Sequence, residues 1–224
     1  MMHTFLQALP FALGGAVSPT MLAVVVVLLA SPKQGRLKGF LFFLGALVVS
    51  IAFCFLVHFV LKGIAQRHPS RGQLRIDGVI DVVVGVLLVL WAIVRVVHQP
   101  KSKDDADRQA KHVQLGLAGS FVAGIALMAT NFSTLPLYAL AIREVGHSKL
   151  PEVEQVLELV LITAIVLIPA WLPVVIAVVA PRQSERVLAS LRDFLNRHGR
   201  MIITALLALI GFYLLVKGGP RVWA

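Results

Sequence analysis

Residues 14–33 read GGAVSPTMLAVVVVLLASPK, a Ser-Pro-Thr triplet set inside an otherwise apolar run. The run extends from about Thr4 to Ala30 without one Lys, Arg, Asp or Glu, which is longer than the about 20 apolar residues of a transmembrane helix. Pro19 lacks a backbone donor and crowds the carbonyl four residues earlier. In water-free surroundings such a break leaves a polar group that needs a partner. The triplet is therefore either tolerated packing or a site.

Outward from it, five more apolar runs follow: Gly39–Leu61, Ile76–Val97, Leu115–Ile142, Leu157–Ala180 and Met201–Val216. The last is short, but Arg200 and Lys217 have stems long enough to snorkel to the headgroups. The runs are continuous rather than alternating at period two, so they predict helices and not a barrel. Composition agrees. The chain is 58% hydrophobic and 14% charged, with mean hydropathy +0.87, against about 45–50% apolar and about 25% charged in a soluble domain. The expectation is an all-α, polytopic membrane protein with six transmembrane helices. The first run has no basic stretch before it and exceeds a signal-peptide core of about 7–15 residues, so it reads as a retained helix.

If six spans alternate, 13 of the 21 Lys and Arg residues fall on the side of the first, third and fifth connections, and 8 on the other. The positive-inside rule then puts both termini outside the cytoplasm of a multi-pass protein of a bacterial inner membrane. Topology and anionic membrane lipids account for the net charge of +10, with no nucleic-acid partner.

The interval 99–112 is a charged cytoplasmic linker that separates residues 1–98 from 113–224, three spans each. Ser18-Pro19-Thr20 in the first half has a counterpart in Asn131 to Pro136 in the second, and Gly85-Val86-Leu87-Leu88 has one in Gly211-Phe212-Tyr213-Leu214. An odd number of helices per repeat inserts the second copy upside down, giving two inverted three-helix repeats whose broken helices meet near the middle of the bilayer. That makes Ser18, Pro19, Thr20, Asn131, Ser133, Thr134 and Pro136 the candidate substrate-binding set. The blander reading is that the hydroxyls bond back to their own helix and the small residues serve packing.

Asp81 lies one turn beyond Asp77, and an intramembrane carboxylate is by default a functional hypothesis, here proton coupling. Its alternative is an interfacial carboxylate near Arg75 and the helix N-terminus. Pro169 and Pro173 kink span five, as a gate or as mere shape. His58, within a turn of Lys62, reads as interfacial. Gly14, Gly15, Gly45, Gly85, Gly119 and Gly124 read as points of close helix contact. Residues 182–200 are amphipathic and suited to lying on the cytoplasmic leaflet, where they would connect spans five and six or gather anionic lipid.

No catalytic motif stands out, so the chain reads as a non-enzyme without cofactor or metal. The lone Cys54 excludes disulfide shuttling by a monomer, which needs two thiols. With no nucleotide-binding motif, active transport would draw on an ion gradient or on another protein.

The segment GGAVSPTMLAVVVVLLASPKQGRLKGFLFFLGALV resembles the first two helices of the sulfolipid-addressing (SfLAP) or GAP family of the lysine-exporter (LysE) superfamily. Its Ser-Pro, its second Ser-Pro before basic residues and its Phe-Leu-Gly carry the likeness. GSFVAGIALMATNFSTLPLYALAI, the prolines of span five and the stretch from Pro181 to Gly219 extend it over nearly the whole chain. One departure is Phe132-Ser133-Thr134 after Asn131, where the family pattern has Asn-Pro; it argues for a less sharp break in span four than in span one. The resemblance implies a six-helix inner-membrane protein that moves envelope lipids such as glycolipids.

Three functions follow as expectations: export of an envelope lipid, proton-coupled export of a small polar metabolite or amino acid, and a non-transporting accessory subunit of a lipid-export complex. The cavity is expected between spans one and four, with spans two and five rocking around it. A lateral opening lined by apolar residues favours the first; a sealed, hydrated, charge-lined cavity favours the second. Membrane lipids, a glycolipid substrate, a second copy of the chain and lipid-export machinery are the expected partners.

Overall fold

A computed structural model describes residues 2–65, scattered helical positions between 82 and 93, residues 115–146, 148, 150–179 and 184–223. The described residues form helices joined by short turns, without strands. In chain order the helices are α1 (Met2–Ala16), α2 (Pro19–Leu29), α3 (Gly35–Ala65), α4 (Leu117–Ala129), α5 (Thr134–Gly146), α6 (Glu152–Val166), α7 (Ile168–Val179) and α8 (Ser184–Trp223).

One stretch of α3, Gly35–Val60, is by itself long and apolar enough to cross a membrane. Three further candidates are bent pairs: α1 with α2 at 57°, α4 with α5 at 69°, and α6 with α7 at 71°. Span four thus bends more sharply than span one, contrary to the expectation from its missing Asn-Pro. Much of the predicted third span, Asp81 included, lies outside the described residues. The sixth corresponds to the shorter apolar stretch Thr204–Val216 of α8. The amphipathic segment is not a separate helix, because α8 runs unbroken for 40 residues, or about 60 Å.

The chain forms two compact units. The first holds Met1–His58 with Lys101–Gly199, the second Phe59–Pro100 with Arg200–Ala224. The core of the first is built around Phe11, Met21, Leu22, Phe42, Leu137 and Tyr138, all no more than 2% exposed. Large apolar side chains also cover the outside: Phe55, Phe132 and Val153 are 72%, 74% and 81% exposed. Such a surface aggregates in water but matches a lipid solvent.

Glycines set the closest approaches in both units. A Cβ on Gly45 would overlap the Phe121 carbonyl, and one on Gly124 would overlap the Phe42 carbonyl, so α3 and α4 cross backbone to backbone. In the second unit a Cβ on Gly85 would lie 2.9 Å from the Gly211 carbonyl oxygen. Gly119 differs, since its nearest neighbours belong to Leu115 of its own segment.

Candidate functional site

In an unbroken helix the N–H of residue 19 would bond the carbonyl of Gly15, and proline has no such N–H. That carbonyl accepts instead from the hydroxyl of Thr134 at 2.9 Å, across 119 positions of sequence. Ser18 is the N-cap of α2, yet its side chain does not cap its own helix. Its Oγ accepts from Asn131 Nδ2 at 3.1 Å.

Asn131 does cap its helix. Its carbonyl accepts the first helical bond of α5, from Leu135 N–H at 3.0 Å, and its Oδ1 accepts from Thr134 N–H at 3.3 Å, the usual N-cap geometry. The Ser133 hydroxyl donates to the same Oδ1 at 2.8 Å. Two helix breaks from opposite halves of the chain therefore satisfy one another. Ser18 and Thr134, 4% and 1% exposed, are closed off, while Asn131 and Ser133 are half-buried.

The structure thus draws Ser18, Asn131, Ser133 and Thr134 into one network. Pro19 is half-buried, and Thr20 and Pro136 are exposed. Pro169 and Pro173 are buried in α7, just past the third break. There the indole N–H of Trp171 donates to the Ala164 carbonyl at 2.8 Å, which ties α7 back onto α6.

A second polar tie lies nearby. The buried Tyr138 hydroxyl sits 2.7 Å from Thr163 Oγ1 and 3.3 Å from the Ser50 carbonyl, joining α5, α6 and α3. Thr163 in turn borders a cavity of about 430 Å³ between α3 and the α6–α7 pair. From α3 come Phe43, Leu47, Ile51, Cys54, Phe55 and His58; from the other side Val156, Leu159, Val160, Thr163, Ala164, Leu167 and Trp171. The lining is apolar apart from the edges of Thr163, Cys54, His58 and Trp171. Its place, between the second and fifth predicted spans, is not the one expected between spans one and four, where direct hydrogen bonds join the breaks.

A family model described as Sap, sulfolipid-1-addressing protein, matches residues 8–219. The chain belongs to the sulfolipid-1-addressing protein family. No curated protein and no solved structure matches it. The matched stretch takes in the network, the cavity and all eight described helices except the ends of α1 and α8.

One residue of this family member escaped the sequence reading. Glu158, on α6, is 0% exposed, and neither carboxyl oxygen has a hydrogen-bond partner among the described residues. It shares the buried face of α6 with Leu159, Ile162, Thr163 and Val166. The signal was present, because Glu158 stands one helical turn before Ile162 inside the apolar run, where an ionised side chain costs about 2.5–3.5 kcal/mol at the centre of a span on insertion scales.

Proposed function

We propose that this family member moves an amphipathic envelope lipid across the inner membrane, with the acyl portion held in the cavity between α3 and α6–α7. The observation that carries the reading is that cavity: about 430 Å³, within the about 300–1,000 Å³ of small-molecule sites, and walled by apolar side chains. A polar metabolite would find almost no donors or acceptors there. A hydrocarbon chain finds a surface like its own. The family description, which names sulfolipid addressing, supports a membrane-associated role in lipid handling.

In this reading the α1–α2 and α4–α5 breaks are the paired broken helices of an inverted repeat of the lysine-exporter type, with both termini outside the cytoplasm. The Ser18–Asn131–Thr134 network is the fixed hinge around which α3 and the α6–α7 pair move. Thr163, on the cavity wall, donates to the Leu159 carbonyl at 2.6 Å and meets the Tyr138 hydroxyl, a polar tie that moves with α6.

The test is reconstitution of the purified protein in liposomes, with translocation of fluorescent glycolipid analogues measured beside efflux of labelled amino acids. Lipid movement that protein-free liposomes lack, and that Ala164→Trp abolishes by filling the cavity, is the expected result. Amino-acid efflux without lipid movement would replace the reading by a metabolite exporter. Neither activity would leave the accessory-subunit role.

A further inference from the structure

A carboxyl group taken out of water is held cheaply only when it is paired, hydrogen-bonded or neutral. Glu158 is 0% exposed, and neither of its oxygens has a hydrogen-bond partner among the described residues. Its position follows from the contacts around it. A Cβ on Gly15 would meet both Val166 and Thr134, so the C-terminal ends of α1 and α6 and the N-terminal end of α5 come together. Tyr138 touches Thr163 one turn further on. Hence α6 runs parallel to α1 and antiparallel to α5, and Glu158 is level with Ala8 of α1 and with Ile142 and Arg143 of α5. Ala8 and Ile142 are both 0% exposed, so these surroundings are closed to solvent.

We propose that Glu158 is a proton-binding site, and that the bound proton is what allows α6 to close against α1 and α5. With the proton on, the neutral acid sits in the packed interface. Its loss to water leaves a carboxylate that the closed interface does not accommodate, and α6 parts from α1 and α5 until water reaches it. Only a proton is exchanged, from water to a carboxylate oxygen and back. The remaining titratable or charged groups on the packed elements are His3 and the chain's amino end on α1, and Tyr138, Arg143 and Glu144 on α5. Glu152 and Glu154 lie on α6 itself, α7 has none, and across the cavity α3 brings Cys54 and His58.

Resting on the lipid-translocation reading, the same site supplies the energy source: one side of the cavity wall is the outer face of α6, so a proton that sets α6 also sets the cavity. The experiment uses the full chain in liposomes, wild type against Glu158→Gln, which copies the neutral acid, and Glu154→Gln as a control on the same helix. An imposed proton gradient is expected to speed wild-type and E154Q lipid translocation several-fold and to leave the E158Q rate unchanged. Infrared difference spectra over a pH titration are expected to show the carbonyl-stretch band of a protonated carboxyl that E158Q lacks.

A wild-type response to the gradient that E158Q shares overturns the coupling. Identical infrared spectra for the two proteins overturn the proton site itself. If wild type moves no lipid, the translocation reading fails, and the infrared titration still decides for or against Glu158. Should E158Q fail to accumulate, Glu158→Asp keeps the acid on a shorter arm and is expected to shift the band; an unshifted band counts against the site.

Discussion

Thr134 carries a bond that Pro19 makes necessary. Replacing it by Val keeps the shape and deletes the donor, so the Gly15 carbonyl is left buried without the hydroxyl that meets it at 2.9 Å. An unsatisfied buried polar group costs about 1–3 kcal/mol. The T134V protein is expected to lose stability by that amount in detergent thermal unfolding, whereas Thr134→Ser, which keeps the hydroxyl, stays near wild type. T134V melting with wild type would show that the carbonyl has another partner. Gln34 offers the opposite sign. It is exposed with φ 58°, a left-handed conformation that costs a side-chain-bearing residue about 1–2 kcal/mol. Gln34→Gly is therefore expected to raise the stability by about 1 kcal/mol in the same assay, and a lowered melting temperature would refute the strain. At this scale the network residues were legible, because proline, asparagine and hydroxyls are conspicuous in an apolar run. Their pairing was not, since a bond across 113 positions, as from Asn131 to Ser18, depends on how two helix ends dock. Glu158 stood in plain view but close to the polar flank of its run, and only packing by α1 and α5 makes it buried.

Among elements, the helix breaks show how composition and context divide the work. Prolines mark all three bent pairs, but span four bends 69° although Asn131 is followed by phenylalanine. The cause is local chemistry: Asn131 stops α4 and caps α5 through its own side chain, so no proline is needed at the next position. The continuous α8 is the reverse case. The change from the amphipathic pattern of 182–200 to the apolar run from Met201 suggested two elements, yet nothing between them stops a helix: the one glycine there, Gly199, costs only about 1 kcal/mol. The α3–α4 crossing was legible as glycines and is now specific. Gly124→Ala places a methyl against the Phe42 carbonyl, backbone that cannot swing aside, and overpacking of this kind costs about 1–3 kcal/mol. Gly119→Ala meets only a leucine side chain of its own segment. Thermal unfolding is expected to separate the two, with G124A clearly destabilised and G119A close to wild type; equal melting temperatures would mean the helices do not cross there.

For the whole molecule, the membrane class was legible from hydropathy alone, because lipid imposes one rule on every span: backbone groups pair internally and side chains facing outward are apolar. Where a cavity opens does not follow from that rule. It depends on which faces are left unfilled when helices pack, and here the space lies between α3 and the α6–α7 pair. The protein carries its own reporter of that space. Cys54 is the single cysteine, it lines the cavity, and it is half-buried. A membrane-permeant maleimide is expected to label it in liposomes of short, synthetic phospholipid, and to do so several-fold more slowly when a glycolipid that enters the cavity is added to the same bilayer. Ala164→Trp, which fills the opposite wall, should slow labelling without any added lipid and remove the effect of adding it. Labelling that ignores both the glycolipid and the tryptophan would mean that Cys54 is reached from the bilayer by another route, and the cavity would lose its claim as the place where the acyl chain rides.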